Sequence, residues 1–118
     1  MAAKHITSAE FQELVMDYTA ANPVFKGSKP AIVDFFAPWC GPCQAFSPVF
    51  DELAEEYEGR VDCYKVNVEE EQALAQTLRV RNIPTLIFFP KGSNPKASVG
   101  AMSKTELINI IKEDFQIK

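Results

Sequence analysis

The chain has 118 residues, 47% of them hydrophobic and 24% charged, a composition that builds one core of ordinary size and excludes intrinsic disorder. Twelve Lys and Arg stand against 16 Asp and Glu for a net charge of -4, so the basic footprint of phosphate binding is missing and neither nucleic acid nor an anionic membrane is an expected partner. No apolar run approaches the roughly 18 residues of a membrane span, and three cysteines, an odd number, cannot close into a framework of structural bridges.

Met1 to His5 lead into polar sequence without the apolar stretch of a signal peptide. A cytoplasmic location is therefore expected, with the mature form of a periplasmic or secreted protein as the alternative. A short opening strand near His5 precedes a first helix. Thr7 is its N-cap and Glu10, three residues on, completes a capping box; Phe11, Leu14, Val15 and Tyr18 then recur at helical spacing, and the helix is expected to end near Ala20 or Ala21. The stretch 22–30, with two prolines, Gly27 and Ser28, reads as a surface loop.

The segment 31–36 (AIVDFF) is a nearly all-apolar strand of the kind buried on both faces, interrupted by Asp34. From Cys40 or Gly41 to Tyr57 a helix carries Phe46, Val49, Phe50, Leu53 and Tyr57 on one stripe, with Asp51, Glu52, Glu55 and Glu56 on a solvated side. Pro48 should kink this helix, and Gly59 stops it. A second central strand, 61–68 (VDCYKVNV), is followed by a helix over 70–78 that buries Leu74 and Leu78. The segments 85–89 (TLIFF) and 96–99 (KASV) form an antiparallel hairpin across Pro90, Gly92 and Pro95. Ser103 and Glu106 form a second capping box, opening a final helix with Leu107, Ile110, Ile111 and Phe115 inward. The order αβαβαββα with right-handed crossovers places helices on both faces of a mixed sheet.

Trp39-Cys40-Gly41-Pro42-Cys43 lies where a buried strand hands over to a helix. Three helical steps set the two Cα atoms roughly 5 Å apart, inside the window of a disulfide. So short a ring gains only about 2 kcal/mol from loop entropy, which suits exchange better than stapling. A helix N-terminus favours thiolate over thiol, and lowering a thiol pKa from about 8.5 to about 7 raises the thiolate fraction at neutrality from roughly 3% to roughly half. Cys40, first in the turn, is expected to be the exposed nucleophile, and Cys43, one turn inward, the resolving thiol. Gly41 lets a partner's backbone approach, and Pro42 fits the first helical turn. Competing readings are half a zinc site or two inert thiols. Zinc needs four ligands, and Cys63 and His5, the remaining candidates, lack ligand spacing. No metal and no cofactor are expected. Cys63 alternates with Val61 on its strand and reads as a packed core thiol, with a regulatory thiol as the minority view.

The motifs VDFFAPWCGPC at 33–43, Pro48 five residues later, KVNV at 65–68, IPT at 83–85 and VGA at 99–101 together resemble the thioredoxin family over about 31–115, and more loosely over the first helix. The resemblance implies a thioredoxin fold, an α/β fold with a central mixed β-sheet and helices on both faces, spanning the chain as one domain. It further implies reduction of disulfides in client proteins by dithiol exchange, with the oxidised form regenerated by a flavin-dependent thioredoxin reductase; nothing in the sequence points to an oligomer, and a monomer is expected. Oxidising relatives often carry histidine between the cysteines, so Gly41-Pro42 favours a reductant over an oxidase or isomerase. A redox-independent binding module would not need both cysteines.

Asp34 sits in an apolar strand, where burial raises a carboxyl pKa. The matching acid in thioredoxins lies beneath the second cysteine and accepts its proton, whereas the plainer alternative is a buried polar residue satisfied by backbone. Lys65 matches a family lysine that approaches this acid and holds its charged form, the alternative being a snorkelling surface lysine. The resemblance also implies that Ile83-Pro84 is cis and faces the active disulfide, with Ile83 pairing an extended substrate as an added strand. Trp39, Gly41, Pro42, Ile83, Pro84, Val99, Gly100 and Ala101 would then form a flat apolar docking patch; for Gly100 and Ala101 an ordinary turn is the alternative. Phe36 stands where many thioredoxins have tryptophan, and Gln44 where many carry Lys or Arg. His5 is expected to be neither ligand nor base.

Overall fold

Alternation along one strand organises the molecule. The structure is a computed structural model that describes residues 3–118. In its central strand β2 (Ala31–Phe36), Ile32 belongs to a core on one face of the sheet, and Ala31, Val33 and Phe35 to a core on the other. The period of two places Asp34 on the face of Ile32. Around β2 lie β1 (Lys4–His5), β3 (Asp62–Asn67), β4 (Thr85–Phe89) and β5 (Lys96–Val99), in the order β1-β3-β2-β4-β5. The β1, β3 and β2 strands are parallel, and β4 and β5 form the antiparallel hairpin expected from the sequence.

Helices α2 (Gly41–Glu56) and α4 (Lys104–Asp114) cover the face of Ile32. There Phe46, Phe50 and Leu53 meet Leu86, Phe88, Leu107 and Ile111. Helices α1 (Ser8–Leu14) and α3 (Gln72–Thr77) cover the other face through Phe11 and Leu74, against Val33, Phe35 and Phe89. Both capping boxes are present: Thr7 and Glu10 open α1, and Ser103 and Glu106 open α4. Pro48 lies inside α2 without ending it. It withholds the helical donor that the Gln44 carbonyl would otherwise receive.

The first helix ends at Leu14, not near Ala20 or Ala21 as its apolar spacing predicts. Beyond Val15 the chain turns back on itself: Lys26 N–H donates to the Val15 carbonyl at 2.7 Å, and Met16 bridges Phe25. Asp17 Oδ1 accepts from the Thr19 N–H at 3.1 Å and its hydroxyl at 2.6 Å, a local turn that competes with helix. Tyr18 still packs edge-on against Phe11, so its apolar character serves the same core from a non-helical backbone.

The third helix spans 72–77 rather than 70–78 because a turn comes first. The Asn67 carbonyl accepts the N–H groups of Glu70 and Glu71, and its side chain takes that of Glu69. Glu71 then turns away from its own helix. Its Oε1 accepts both the N–H and the hydroxyl of Ser8 at 2.8 Å, joining the starts of α1 and α3.

Phe50 is fully buried between α2 and the sheet. Phe50→Ala is expected to cost about 3–5 kcal/mol in urea unfolding; a loss below about 1 kcal/mol would mean that this face of the core is not close-packed.

Candidate active site

Strand β2 delivers the chain through Ala37, Pro38 and Trp39 to the first turn of α2, where Cys40 is the N-cap and Pro42 lies in the first turn. Cys40 and Cys43 form a disulfide with Cα atoms 5.2 Å apart, the separation that three helical steps predict. The Cys43 N–H donates to Cys40 Sγ at 3.2 Å, so this sulfur occupies the place of the oxygen in an ordinary N-cap. Such a contact favours the anion, because the helix's unpaired N–H groups and positive end stabilise negative charge there.

The expectation of an exposed Cys40 needs correcting. Its relative exposure is 5%, against 3% for Cys43. Both sulfurs pack against Ala37, with Phe36, Val68 and Ile83 alongside. What is open is the rim: Pro38, Trp39, Gly41 and Pro42 are exposed, Trp39 at 67%. Access to the disulfide therefore runs across this rim rather than through a protruding sulfur. Gln44 stiffens it, donating its side-chain amide to the Pro38 carbonyl at 2.6 Å.

Across from the disulfide stands the Ile83-Pro84 bond, which is cis. The Ile83 carbonyl oxygen lies 3.9 Å from Cys40 Sγ. Pro84 is buried and its carbonyl accepts the Gly100 N–H at 2.8 Å, which brings the 99–101 segment to the same end of the sheet. Gly100 has φ +100°, a conformation that side chains rarely adopt, so the residue serves the turn itself. Val99, 67% exposed, and the exposed Ala101 border that turn.

Beneath the disulfide, a cavity of about 140 Å³ is lined by Asp34, Cys43, Ser47, Lys65 and His5 among others. Asp34 is 1% exposed and its Oδ1 has no hydrogen-bond partner. Burial pushes its carboxyl up from 3.8 to about 7, with nearby Lys65 opposing and Asp51 reinforcing the shift. Lys65 is the register partner of Asp34 across β2 and β3. It is buried, not a snorkelling surface lysine, but its ammonium does not make the direct approach to Asp34 that the sequence suggests. Nζ donates to Ser47 Oγ and lies 3.2 Å from Asp51 Oδ1, an ion contact without hydrogen-bond alignment, since that oxygen accepts no hydrogen bond.

Asp51 is thus half-buried and faces β3 rather than lying on the wet side of α2. The signal was available: Cys43, Ser47 and Asp51 recur at four-residue spacing along one flank of the helix. His5 is exposed and sets its ring edge-on to Phe36, at 5.4 Å between centroids, on the same cavity wall. Cys63 is a free thiol packed in the core under α2 and α4. Burial pushes its pKa to about 12, with the charges of Asp62 and Asp51 adding to the shift.

A family model described as Thioredoxin matches residues 2–113. The chain is 40% identical over 111 residues to a thioredoxin of Borreliella burgdorferi, covering 93% of this chain and 95% of that one. To a thioredoxin of Haemophilus influenzae it is 40% identical over 109 residues, covering 92% and 94%. It is 42% identical over 90 residues to a chloroplastic M-type thioredoxin of Spinacia oleracea, covering 76% of this chain and 50% of that one, so the chain spans about half of that relative. Among solved structures, chloroplastic thioredoxin z superposes with a TM-score of 0.82 at 26% identity, over 99% of this chain and 97% of that one.

The environments of Asp34 and Cys63 carry separate consequences. Because the folded carboxyl holds its proton up to about pH 7, the unfolded chain releases one first, and stability falls as pH rises from about 4 to about 7. Asp34→Asn removes that penalty. Urea unfolding should show the variant more stable than wild type at pH about 8, by a margin on the order of 4 kcal/mol, and nearly equal to it at pH about 4. Iodoacetamide should leave Cys63 unmodified in the native protein and label it after unfolding, as read by peptide mass spectrometry.

Proposed function

The chain belongs to the thioredoxin family and is a thiol–disulfide oxidoreductase, and we propose that it works as a general reductant of protein disulfides in which Cys40 attacks and Cys43 resolves. The observation that carries this reading is the Cys40–Cys43 pair at the start of α2, its first sulfur on a backbone N–H and its rim open to a partner. In the dithiol form, the Cys40 thiolate attacks one sulfur of a client disulfide. A mixed disulfide forms and the other client sulfur leaves as thiolate. Cys43 then gives up its proton and attacks Cys40 Sγ, which releases the second client thiolate and leaves the Cys40–Cys43 disulfide. Two electrons pass to the client, and protons from solvent complete its thiols.

Asp34 is the group we assign to take the Cys43 proton. It shares a cavity with that cysteine, and its carboxyl gains and loses a proton near neutrality. The cavity is several times the roughly 10–15 Å³ that a water needs, so one can carry the proton between them. Lys65 bears on the same carboxyl as a nearby positive charge. On the outer side, Trp39, Gly41, Pro42, Ile83, Pro84, Val99, Gly100 and Ala101 form the client-docking face. Ile83 offers backbone to an extended client segment, and Trp39 and Val99 offer apolar surface.

Thioredoxins are recharged by thioredoxin reductase, and we assign the same partner to this chain, acting as a monomer of one domain. No helix among the described residues is long and apolar enough to cross a membrane. Net reduction of client disulfides needs a reducing compartment, and the cytoplasm is the location we propose.

Insulin reduction with dithiothreitol as electron source tests the assignment of the two sulfurs. Cys40→Ser should fall to the uncatalysed rate, while Cys43→Ser should accumulate a mixed disulfide with insulin that mass spectrometry detects on Cys40. If neither variant differs from wild type in turnover, the Cys40–Cys43 pair is not the working site.

A further inference from the structure

Lys65 lines the cavity beneath Cys43 together with Asp34 and Ser47, and its ammonium has two carboxylates it could serve, Asp34 and Asp51. Lys65 and Asp34 are register partners on neighbouring strands, on the face that α2 covers, so an extended lysine could place its charge on Asp34. Instead Nζ goes to the helix wall, donating to Ser47 Oγ and lying 3.2 Å from Asp51 Oδ1. Asp34 Oδ1 is left buried and unpartnered. Burial sets the high proton affinity of Asp34, and the position of this ammonium adjusts it, since an opposite charge in contact with a carboxyl holds it ionised. The aligned hydrogen bond is the one to Ser47; the contact to Asp51 is electrostatic only.

We propose that Ser47 is a positioning residue: its hydroxyl, together with the Asp51 carboxylate, anchors the Lys65 ammonium on the α2 wall and leaves the Asp34 carboxyl able to take up the Cys43 proton. The proposal rests on the reading of Asp34 as proton acceptor given above. The charges that bear on Asp34 are Lys65 from β3, which lowers its proton affinity, and Asp51 from α2, which raises it. His5 from β1 and the disulfide-bonded Cys43 from α2 line the same cavity, and β4 sets the apolar Leu86 opposite Asp34. Ser47 holds the lysine through an uncharged hydroxyl, so replacing it changes where the ammonium goes without changing any charge. That separates it from Asp51, whose negative charge itself raises the Asp34 pKa.

The test is an NMR titration of the Asp34 side-chain carboxyl carbon in the full oxidised chain, between pH about 5 and about 9. Ser47→Ala should release the ammonium toward Asp34 and lower the carboxyl midpoint by about one pH unit. In a Lys65→Met background the same Ser47→Ala change should leave the midpoint where Lys65→Met alone puts it. An unchanged or raised midpoint in Ser47→Ala overturns the proposal. So does a fall of equal size in the Lys65→Met background, which would show the hydroxyl acting on Asp34 without the lysine. Insulin turnover by Asp34→Asn keeps the two claims apart. If it equals wild type across the pH range, Asp34 is not the proton acceptor, while the titration still decides whether Ser47 anchors Lys65.

Discussion

The backbone N–H of Cys43 donates to Cys40 Sγ, so helix α2 begins on a sulfur atom, and the rest of the site is arranged around that contact. A helix start has N–H groups without carbonyl partners, and an N-cap that satisfies one of them is worth about 1 kcal/mol when the acceptor is oxygen. With sulfur in that position, the same stabilisation is directed at a group that gains from being charged. Pro42 supports the arrangement by having no N–H to satisfy at the first turn and by fixing the backbone there. Gly41 leaves the approach to the sulfur open: a Cβ built at that position would meet nothing within 4 Å.

The second constraint comes from the sheet. Alternation along β2 sends Asp34 to the face under α2, where Cys43 and Ser47 already lie. A carboxyl in that place opposes folding at neutral pH, because the folded state must either keep the proton or bury a charge. That cost is coherent with use of the acid in proton transfer, since a carboxyl in water would be fully ionised at neutrality and a weak acceptor from a thiol. The upper rim and the lower cavity thus divide the work at one disulfide: apolar surface and open backbone above for a client, titratable groups below for the proton.

Much of this is legible in the sequence, and what is not has separate physical reasons. Strand β2 emerges with its expected ends because a six-residue apolar run between a loop and a helix signal has few other solutions, and both capping boxes stand because their partners are three residues apart. The early stop of α1 was hidden because Val15 and Tyr18 keep their burial in a turn held by Asp17, Thr19 and a bridge to Phe25. Asp51 read as a solvated acid because its neighbours Glu52, Glu55 and Glu56 are, although its spacing from Cys43 places it on the inner flank. The partner of Lys65 and the burial of Cys40 are set by side chains meeting across elements, which no local pattern encodes.

The claim beneath all of this is that the start of α2 stabilises a thiolate at Cys40, and the direct measurement is the rate of Cys40 alkylation in the reduced protein as a function of pH. The account predicts a midpoint well below the roughly 8.5 of an unperturbed thiol, because the helix start favours the anion. A midpoint at the unperturbed value would show that the contact between Cys40 Sγ and the Cys43 N–H does not prepare the sulfur for attack.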